Sequence, residues 1–399
     1  MVSLGTFENE ARNFCQNLGT LVGPKLIQMR RSGSPLNVLS IVVFFLLIAF
    51  NGQSQHRLVL LHPTVSNIES MEWMVNNKVI DIPGVMMIGV YSAHEEYDYA
   101  VSERYISEHH LKNYELRKIE GEIQSREIYR ENSCTPAFRK LFEESDAILF
   151  FGGPDIPAAI YGEKQNFLTL VTDPNRHYFE VSFFFHLIGG SRNPTYKPFL
   201  IDNPQFIIRA FCLGMQTMNV AAGGTLIQDI PTEYYHKNTL EAMAQQPADN
   251  QHRSALAPLY PLSDLFGGIF HRIRIAKTGY LSEFGVASKN SGPMVLSAHH
   301  QAAGHLGANL AVIATSADGK IIEALQHKAF RNVVGVQFHP EPAVLYQQEA
   351  TFTTIPGKTF SPNELLQKSN SLLFHQHFWK DFSERVKKGR RQKQTEQAY

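Results

Sequence analysis

Cys212 ends the β-branched run Ile207-Ile208-Arg209-Ala210-Phe211, and Leu213-Gly214-Met215-Gln216 follows it. A strand that stops at a cysteine just before a glycine lifts the thiol onto a sharp strand-to-helix turn. The helix beyond such a turn offers unpaired backbone N–H groups and the positive end of its dipole, and both favour thiolate over thiol. Far downstream, Val333-Val334-Gly335-Val336-Gln337-Phe338 runs into His339-Pro340-Glu341. Residues two apart on an extended segment point to one side, so His339 and Glu341 can act together. Pro340 between them fixes the local direction and ends the strand. Cysteine, histidine and glutamate in this arrangement suit a triad. The thiolate attacks a carbonyl, an amine leaves, and water hydrolyses the thioester. The histidine carries the proton and the carboxylate orients its ring. Taken singly, each fragment reads equally well as a buried strand-end cysteine or a loop histidine with satisfied bonds. Their joint presence favours the triad.

Positioning these groups takes strands that end at one edge of a sheet. Arg57 to Leu61, Gly84 to Val90 and Asp146 to Phe151 read as strands, the last ending in Gly152-Gly153-Pro154. Helices are expected over Ile68–Asn77, Phe138–Glu144 and Phe179–Leu187, with a partly helical, charged stretch from Tyr97 to Tyr129. Short apolar strands alternating with helices predict an α/β fold whose mostly parallel sheet is covered on both faces. Beyond Asp229 the chain is irregular and rich in histidine and proline. A hairpin is expected within Ile269–Val286, a strand at Met294–Ala298, and a second hairpin turning at Asp318-Gly319. Ser371 to Trp379 reads as an apolar helix, and 381–399 as a basic flexible tail suited at most to weak contact with an anionic surface.

Composition narrows the function classes. The chain has 399 residues, 43% hydrophobic and 19% charged, with zero formal net charge. That describes a folded protein and argues against a dedicated nucleic-acid binder. Three cysteines form no disulfide scaffold and no CxxC metal spacing. Cys212 must stay unpaired to react, so no structural disulfide is expected. His299-His300 suggests a metal, but no third ligand has convincing spacing, and neither metal nor organic cofactor is expected. Met29-Arg30-Arg31, the apolar stretch 38–50 and the small polar residues to Ser54 resemble a secretory signal covering 29–54, with 1–28 an over-called extension. An exported chain, periplasmic or secreted, is the expectation. A membrane anchor through 38–50 and an ordinary buried segment are the alternatives. Residues 55–380 form the catalytic domain.

An ordered series of segments resembles the class I glutamine amidotransferase superfamily, in its γ-glutamyl-γ-aminobutyrate hydrolase-like branch, peptidase family C26. It includes Gly152-Gly153-Pro154-Asp155 with Tyr161-Gly162-Glu163, then Asp173 with Arg176 and Glu180. Cys212-Leu213-Gly214-Met215-Gln216, Asn219-Val220, Gly223-Gly224-Thr225-Leu226 and Gln228-Asp229 follow. Ser297-Ala298-His299-His300-Gln301, Asp318 to Ala324 and Gly335 to Glu341 complete it. The resemblance covers roughly 57–345 and implies a flavodoxin-like αβα sandwich with an inserted hairpin and loop region. It casts Cys212 as nucleophile, His339 as base and Glu341 as orienting acid, with backbone N–H groups of Gly153 and Leu213 as oxyanion hole. Gln216 and His300 are cast as substrate-binding.

His177 and Leu296 depart from that pattern where an acidic residue and an asparagine are common, and Arg209-Ala210-Phe211 is an unusual approach to the nucleophile. Segments 103–131 and 236–271 exceed a minimal member. The implied activity is hydrolysis of a γ-glutamyl amide to glutamate and an amine. The alternatives are a glutaminase subunit passing ammonia to a separate synthetase, and a noncatalytic binding or envelope protein. A small amide is the expected partner, with a homodimer left open.

Overall fold

β-Branched and aromatic residues fill short runs that can be buried on both faces, and these become the centre of one large sheet. A computed structural model describes residues 55–261, 264–284 and 292–397. Its first half alternates β1 (Arg57–Leu61), α1 (Val65–Asn76), β2 (Met86–Ser92), α2 (Tyr99–Glu108), β3 (Tyr114–Ile119), α3 (Thr135–Glu144) and β4 (Ala147–Phe150). Then come α4 (Pro174–Ile188), β5 (Ile207–Phe211), α5 (Leu213–Ala221) and the short β6 (Leu226–Ile227). The second half is strand-rich: β7 (Ile269–Ile275), β8 (Met294–Ser297), β9 (Ala302–Ala303), β10 (Leu310–Ser316), β11 (Ile322–His327) and β12 (Val333–Val336). The helix α6 (Leu372–Gln397) closes the described chain.

Ten strands form the main sheet in the order β3-β2-β1-β4-β5-β12-β11-β10-β7-β8. The six from β3 to β12 are parallel, and the remaining four are added antiparallel. Helices on both faces complete the expected α/β sandwich. Strand order reverses between β1 and β4, which opens a crevice at the carboxyl ends of the central strands. Gly152, Cys212 and His339 all follow strands that end at this edge.

Each face of the sheet has its own core. On one, α4 lays down Phe179, Phe183, Phe184 and Phe185, and Phe138 of α3 stacks on Phe183 at 4.4 Å. Each such ring contributes roughly 1.5–3 kcal/mol through burial. On the other, Phe374, Phe378, Trp379, Phe382 and Val386 of α6 meet Ile207 and Phe211 of β5. The expected basic tail is therefore corrected over its first part. Phe374, Phe378, Phe382 and Val386 repeat at helical spacing and are buried, so the helix runs through Arg385. Arg385 itself bonds Asp381 at 2.7 Å and Glu283 at 2.8 Å. The unusual Arg209 belongs to the same contact. It is fully buried, donates to the Asn332 carbonyl at 2.6 Å and lies 4.3 Å from the Tyr280 ring centroid.

The hairpin expected within Ile269–Val286 is replaced by a longer-range pairing. β7 runs antiparallel to β8 and β10, and residues 280–284 form a 3-10 turn. The Asp318-Gly319 hairpin joins β10 to β11, with Gly319 at φ 81°. Among the described residues no helix is long and apolar enough to cross a membrane, and on that finding the membrane-anchored alternative is withdrawn. The stretch 38–50, like the whole of 1–54, lies outside the described residues. Cys134 and Cys212 are both free thiols.

Candidate active site

Cys212 is the residue between β5 and α5, and its backbone is strained, with φ 52° and ψ −106°. A non-glycine residue reaches this region at a cost of about 1–3 kcal/mol, which the surrounding structure must hold in place. The hold comes from both sides. The Cys212 N–H donates to the Val336 carbonyl at 2.8 Å, which ties it to β12. Two residues on, Gly214 lets α5 approach β4, since a Cβ there would stand 2.5 Å from the Phe150 carbonyl oxygen. The thiol is thus fixed beside the strand that delivers His339.

His339 Nδ1 donates to Glu341 at 2.6 Å, and Cys212 lies beside the ring. Burial opposes charge on this imidazole. The Glu341 carboxylate and then Cys212 outweigh it, and hold His339 well above the ordinary histidine range. His339 and Glu341 therefore form a hydrogen-bonded pair close to Cys212. Gly152 lies against both sides of the site, because a Cβ on it would stand 2.9 Å from His339 Cε1 and 3.6 Å from Cys212 Cβ.

Other side chains pin the backbone of His339-Pro340-Glu341. Trp379 Nε1 donates to the Pro340 carbonyl at 2.9 Å and the Tyr346 hydroxyl donates to it at 2.7 Å. Ser70 on α1 donates to the Glu341 carbonyl at 2.6 Å. Arg176 anchors the loop opposite. Its guanidinium bonds Glu180 at 2.7 Å and donates to the Gly152 carbonyl at 3.0 Å. In a trans peptide the carbonyl and the next N–H point oppositely, so the Gly153 N–H is directed away from Arg176. The Arg176–Glu180 pair is intact beside His177, whose imidazole burial pushes down to about 3. Leu213, the first residue of α5, has no acceptor one turn earlier for its N–H.

Gln216 is buried and its amide nitrogen donates to the Gln301 carbonyl at 3.1 Å. His300 bridges two carboxylates, Asp229 at 3.0 Å through Nδ1 and Asp155 at 3.0 Å through Nε2. Burial lowers its affinity for a proton, but those two carboxylates raise it further, and the net direction is upward. A cavity of about 180 Å³ lies beside His300, lined by Asp229, Met243, His252 and His299 among others. Cys212, His339 and Glu341 do not line it.

Three groups at the sheet edge were missed by sequence reading. His62 after β1 bonds Glu95 at 2.8 Å, and Tyr99 reaches both. Burial pushes His62 down to about 3 and Glu95 up to about 7. His62 follows the end of β1 as His339 follows β12, and its place at a strand end was the available clue. A further group, His252, His271, His299 and Glu323, is brought together from four separate segments.

The family model of peptidase C26 matches residues 128–341, over half the chain. This chain belongs to the peptidase C26 family. Its relatives place it in the wider class I glutamine amidotransferase-like superfamily, whose membership supports a hydrolytic function. The chain is 30% identical over 196 residues to the putative glutamine amidotransferase-like protein YvdE of Lactococcus lactis, covering 49% of this chain and 66% of that protein. It is 28% identical over 220 residues to the putative glutamine amidotransferase-like protein RP404 of Rickettsia prowazekii, covering 51% and 72%. With the putative glutamine amidotransferase Rv2859c of Mycobacterium tuberculosis it shares 28% over 200 residues, covering 50% and 51%. The chain thus spans just under two thirds of the first relative and about half of the third. β1 to β3 precede the segment that the C26 family model matches.

Proposed function

We propose that this C26 member hydrolyses the C–N bond of a γ-glutamyl amide through a thioester on Cys212. The observation that carries the reading is the placement of Cys212 and His339 together against Gly152, with His339 Nδ1 donating to Glu341 at 2.6 Å. The Cys212 sulfur forms a bond to the amide carbonyl carbon while the C–N bond breaks. His339 gives its proton to the departing amine. Water then adds to the thioester carbonyl, returning a proton to His339, and the C–S bond breaks to release the γ-carboxylate. Glu341 keeps the ring oriented and stabilises its charged form. The Leu213 N–H and the Gly153 N–H, turned outward by Arg176, are the proposed donors to the oxyanion. Gln216 shapes the pocket wall through its bond to Gln301. His300, held between two carboxylates, contributes charge rather than a free ring nitrogen.

The glutamyl half of the substrate follows from the family resemblance, and the amine is left to experiment. The full chain and Cys212→Ala are incubated with glutamine, γ-glutamyl amines and short γ-glutamyl peptides, with mass spectrometry following glutamate and amine. Turnover lost in the variant, with a trapped acyl adduct on Cys212 in the parent, is the expected result. Equal turnover by both proteins would refute the assignment. Hydrolysis of glutamine alone, and only with an added synthetase, would favour the ammonia-donor alternative.

A further inference from the structure

Behind His299-His300, four buried side chains turn bare polar atoms toward one point. The Glu323 Oε1 oxygen on β11 lies 3.2 Å from His252 Nδ1, 3.6 Å from His271 Nε2 and 3.9 Å from His299 Nε2. All four ligand atoms fall within 4.8 Å of one another. None of them has a hydrogen-bond partner, and neither does Glu323 Oε2. Each residue is at most 4% exposed, so bulk solvent does not reach these atoms. A buried polar atom without a partner costs about 1–3 kcal/mol, and five in one place need a common cause.

The outer hydrogen bonds decide which ring nitrogens carry protons. His299 Nδ1 faces the Gln301 carbonyl at 2.8 Å and His271 Nδ1 faces the Arg272 carbonyl at 3.2 Å. A carbonyl only accepts, so both Nδ1 atoms are protonated and both Nε2 atoms present lone pairs. His252 Nε2 faces the Tyr235 hydroxyl at 3.4 Å, and that hydroxyl donates its one proton to Asp318 at 3.1 Å. Tyr235 must then accept from His252 Nε2–H, which leaves Nδ1 bare. Three imidazole lone pairs and a carboxylate thus face each other with nothing positive between them.

We infer that His252, His271, His299 and Glu323 bind one divalent transition-metal ion, zinc by ligand type, in a closed structural site. Imidazole and carboxylate ligands at tetrahedral positions about 2.0–2.1 Å from zinc stand roughly 3.3–3.4 Å apart; the three Glu323 separations run from 3.2 to 3.9 Å, so the side chains need close by only a few tenths of an ångström around an ion. The second ring nitrogen of every histidine is already fixed by an outer acceptor, as metal-bound imidazoles require. Four protein ligands leave no open position, which marks a structural site and not a catalytic one. The ion would tie three things together: the 236–271 segment through His252 and His271, the His299-His300 loop, and β11. The Glu323 carbonyl accepts from the Gln337 N–H at 2.8 Å, two residues before His339. The site therefore supports the base strand without touching the reacting atoms.

The test uses the full chain, purified without chelator or affinity metal. Elemental analysis after gel filtration should find about one zinc per chain, in the parent and in Cys212→Ala alike. Cobalt exchanged into the parent should give the intense visible bands of a four-coordinate nitrogen and oxygen site, without a thiolate charge-transfer band. Stripping with a strong chelator should lower the melting temperature, and stoichiometric zinc should restore it. His271→Ala and Glu323→Gln should each lose the metal. Because the parent's metal content and cobalt spectrum need no variant, a misfolded substitution leaves the test intact. Less than a tenth of an equivalent retained after zinc addition, or a cobalt–thiolate band that disappears in Cys212→Ala, would overturn the inference.

Discussion

Replacing Glu341 with glutamine probes the relay most directly. The side chains are nearly isosteric, so the amide oxygen of the introduced glutamine can still accept the His339 Nδ1 proton across the 2.6 Å contact and keep the ring's tautomer. What disappears is the negative charge that leads the groups holding His339 protonated. A hydrogen bond to a charged partner is worth about 1.5–3 kcal/mol. In rate terms that is roughly a 10- to 150-fold fall in kcat/KM. In titration terms the same energy is about one to two pH units. The direction follows from charge: without the carboxylate the imidazolium is less stable, so His339 gives up its proton at lower pH. The assay is the NMR titration of His339 beside steady-state turnover. Glu341→Gln should move the His339 titration downward by that interval and lower kcat/KM. An unmoved His339 titration with kcat/KM within twofold of the parent would show that Glu341 does not act through His339.

At neutral pH iodoacetamide should label Cys212 and spare Cys134, whose thiol is buried, donates to the Gly121 carbonyl and is pushed up to about 11 by burial; peptide mass mapping checks this. Gly153→Ala should cost at least 10-fold in kcat, because a Cβ there would meet Arg176 Nη1 at 2.1 Å and turn the loop; near-parental melting with lost turnover is the expected pair of readings. Burial holds His186 and His375 down to about 4, so their favourable neutral state is fully available above about 6.5, the ordinary value, and stability is lost as pH falls toward 4. Each accounts for roughly 3 kcal/mol across that window, and His375→Gln should make the fall in melting temperature between pH 6.5 and 4 shallower in calorimetry.

The elements legible in sequence were those with local causes. β1 falls on Arg57–Leu61 as expected, because an apolar run beside His-Pro leaves little choice. The strand ends at Gly152, Cys212 and His339 were readable for the same reason, and they frame the candidate site. Pairing between distant segments was not readable. β7 finds β8 and β10, and residues 269–275 contain nothing that names those partners. The basic residues after Arg385 concealed a helix whose apolar stripe, Phe374, Phe378, Phe382 and Val386, was present in the spacing all along. Of the four-residue cluster around Glu323, only His299 carried a hint, in the His299-His300 pair. His252, His271 and His299 lie on different segments, and only the folded sheet makes them neighbours.

The placement of α6 has a consequence for how the molecule comes into being. β5 receives α4 and α5 on one face from neighbouring sequence. Its other face waits for Phe378 and Trp379, whose rings sit 6.3 and 5.7 Å from Phe211. During synthesis, segments made first tend to fold first. The strand bearing Cys212 therefore leaves the ribosome with one greasy side bare, and it stays bare until more than 150 further residues have been made. His339 and the Trp379 that steadies it arrive in the same late portion. A nascent chain would thus hold the proposed nucleophile before the proposed base has been made, and the two would be locked together only when α6 docks.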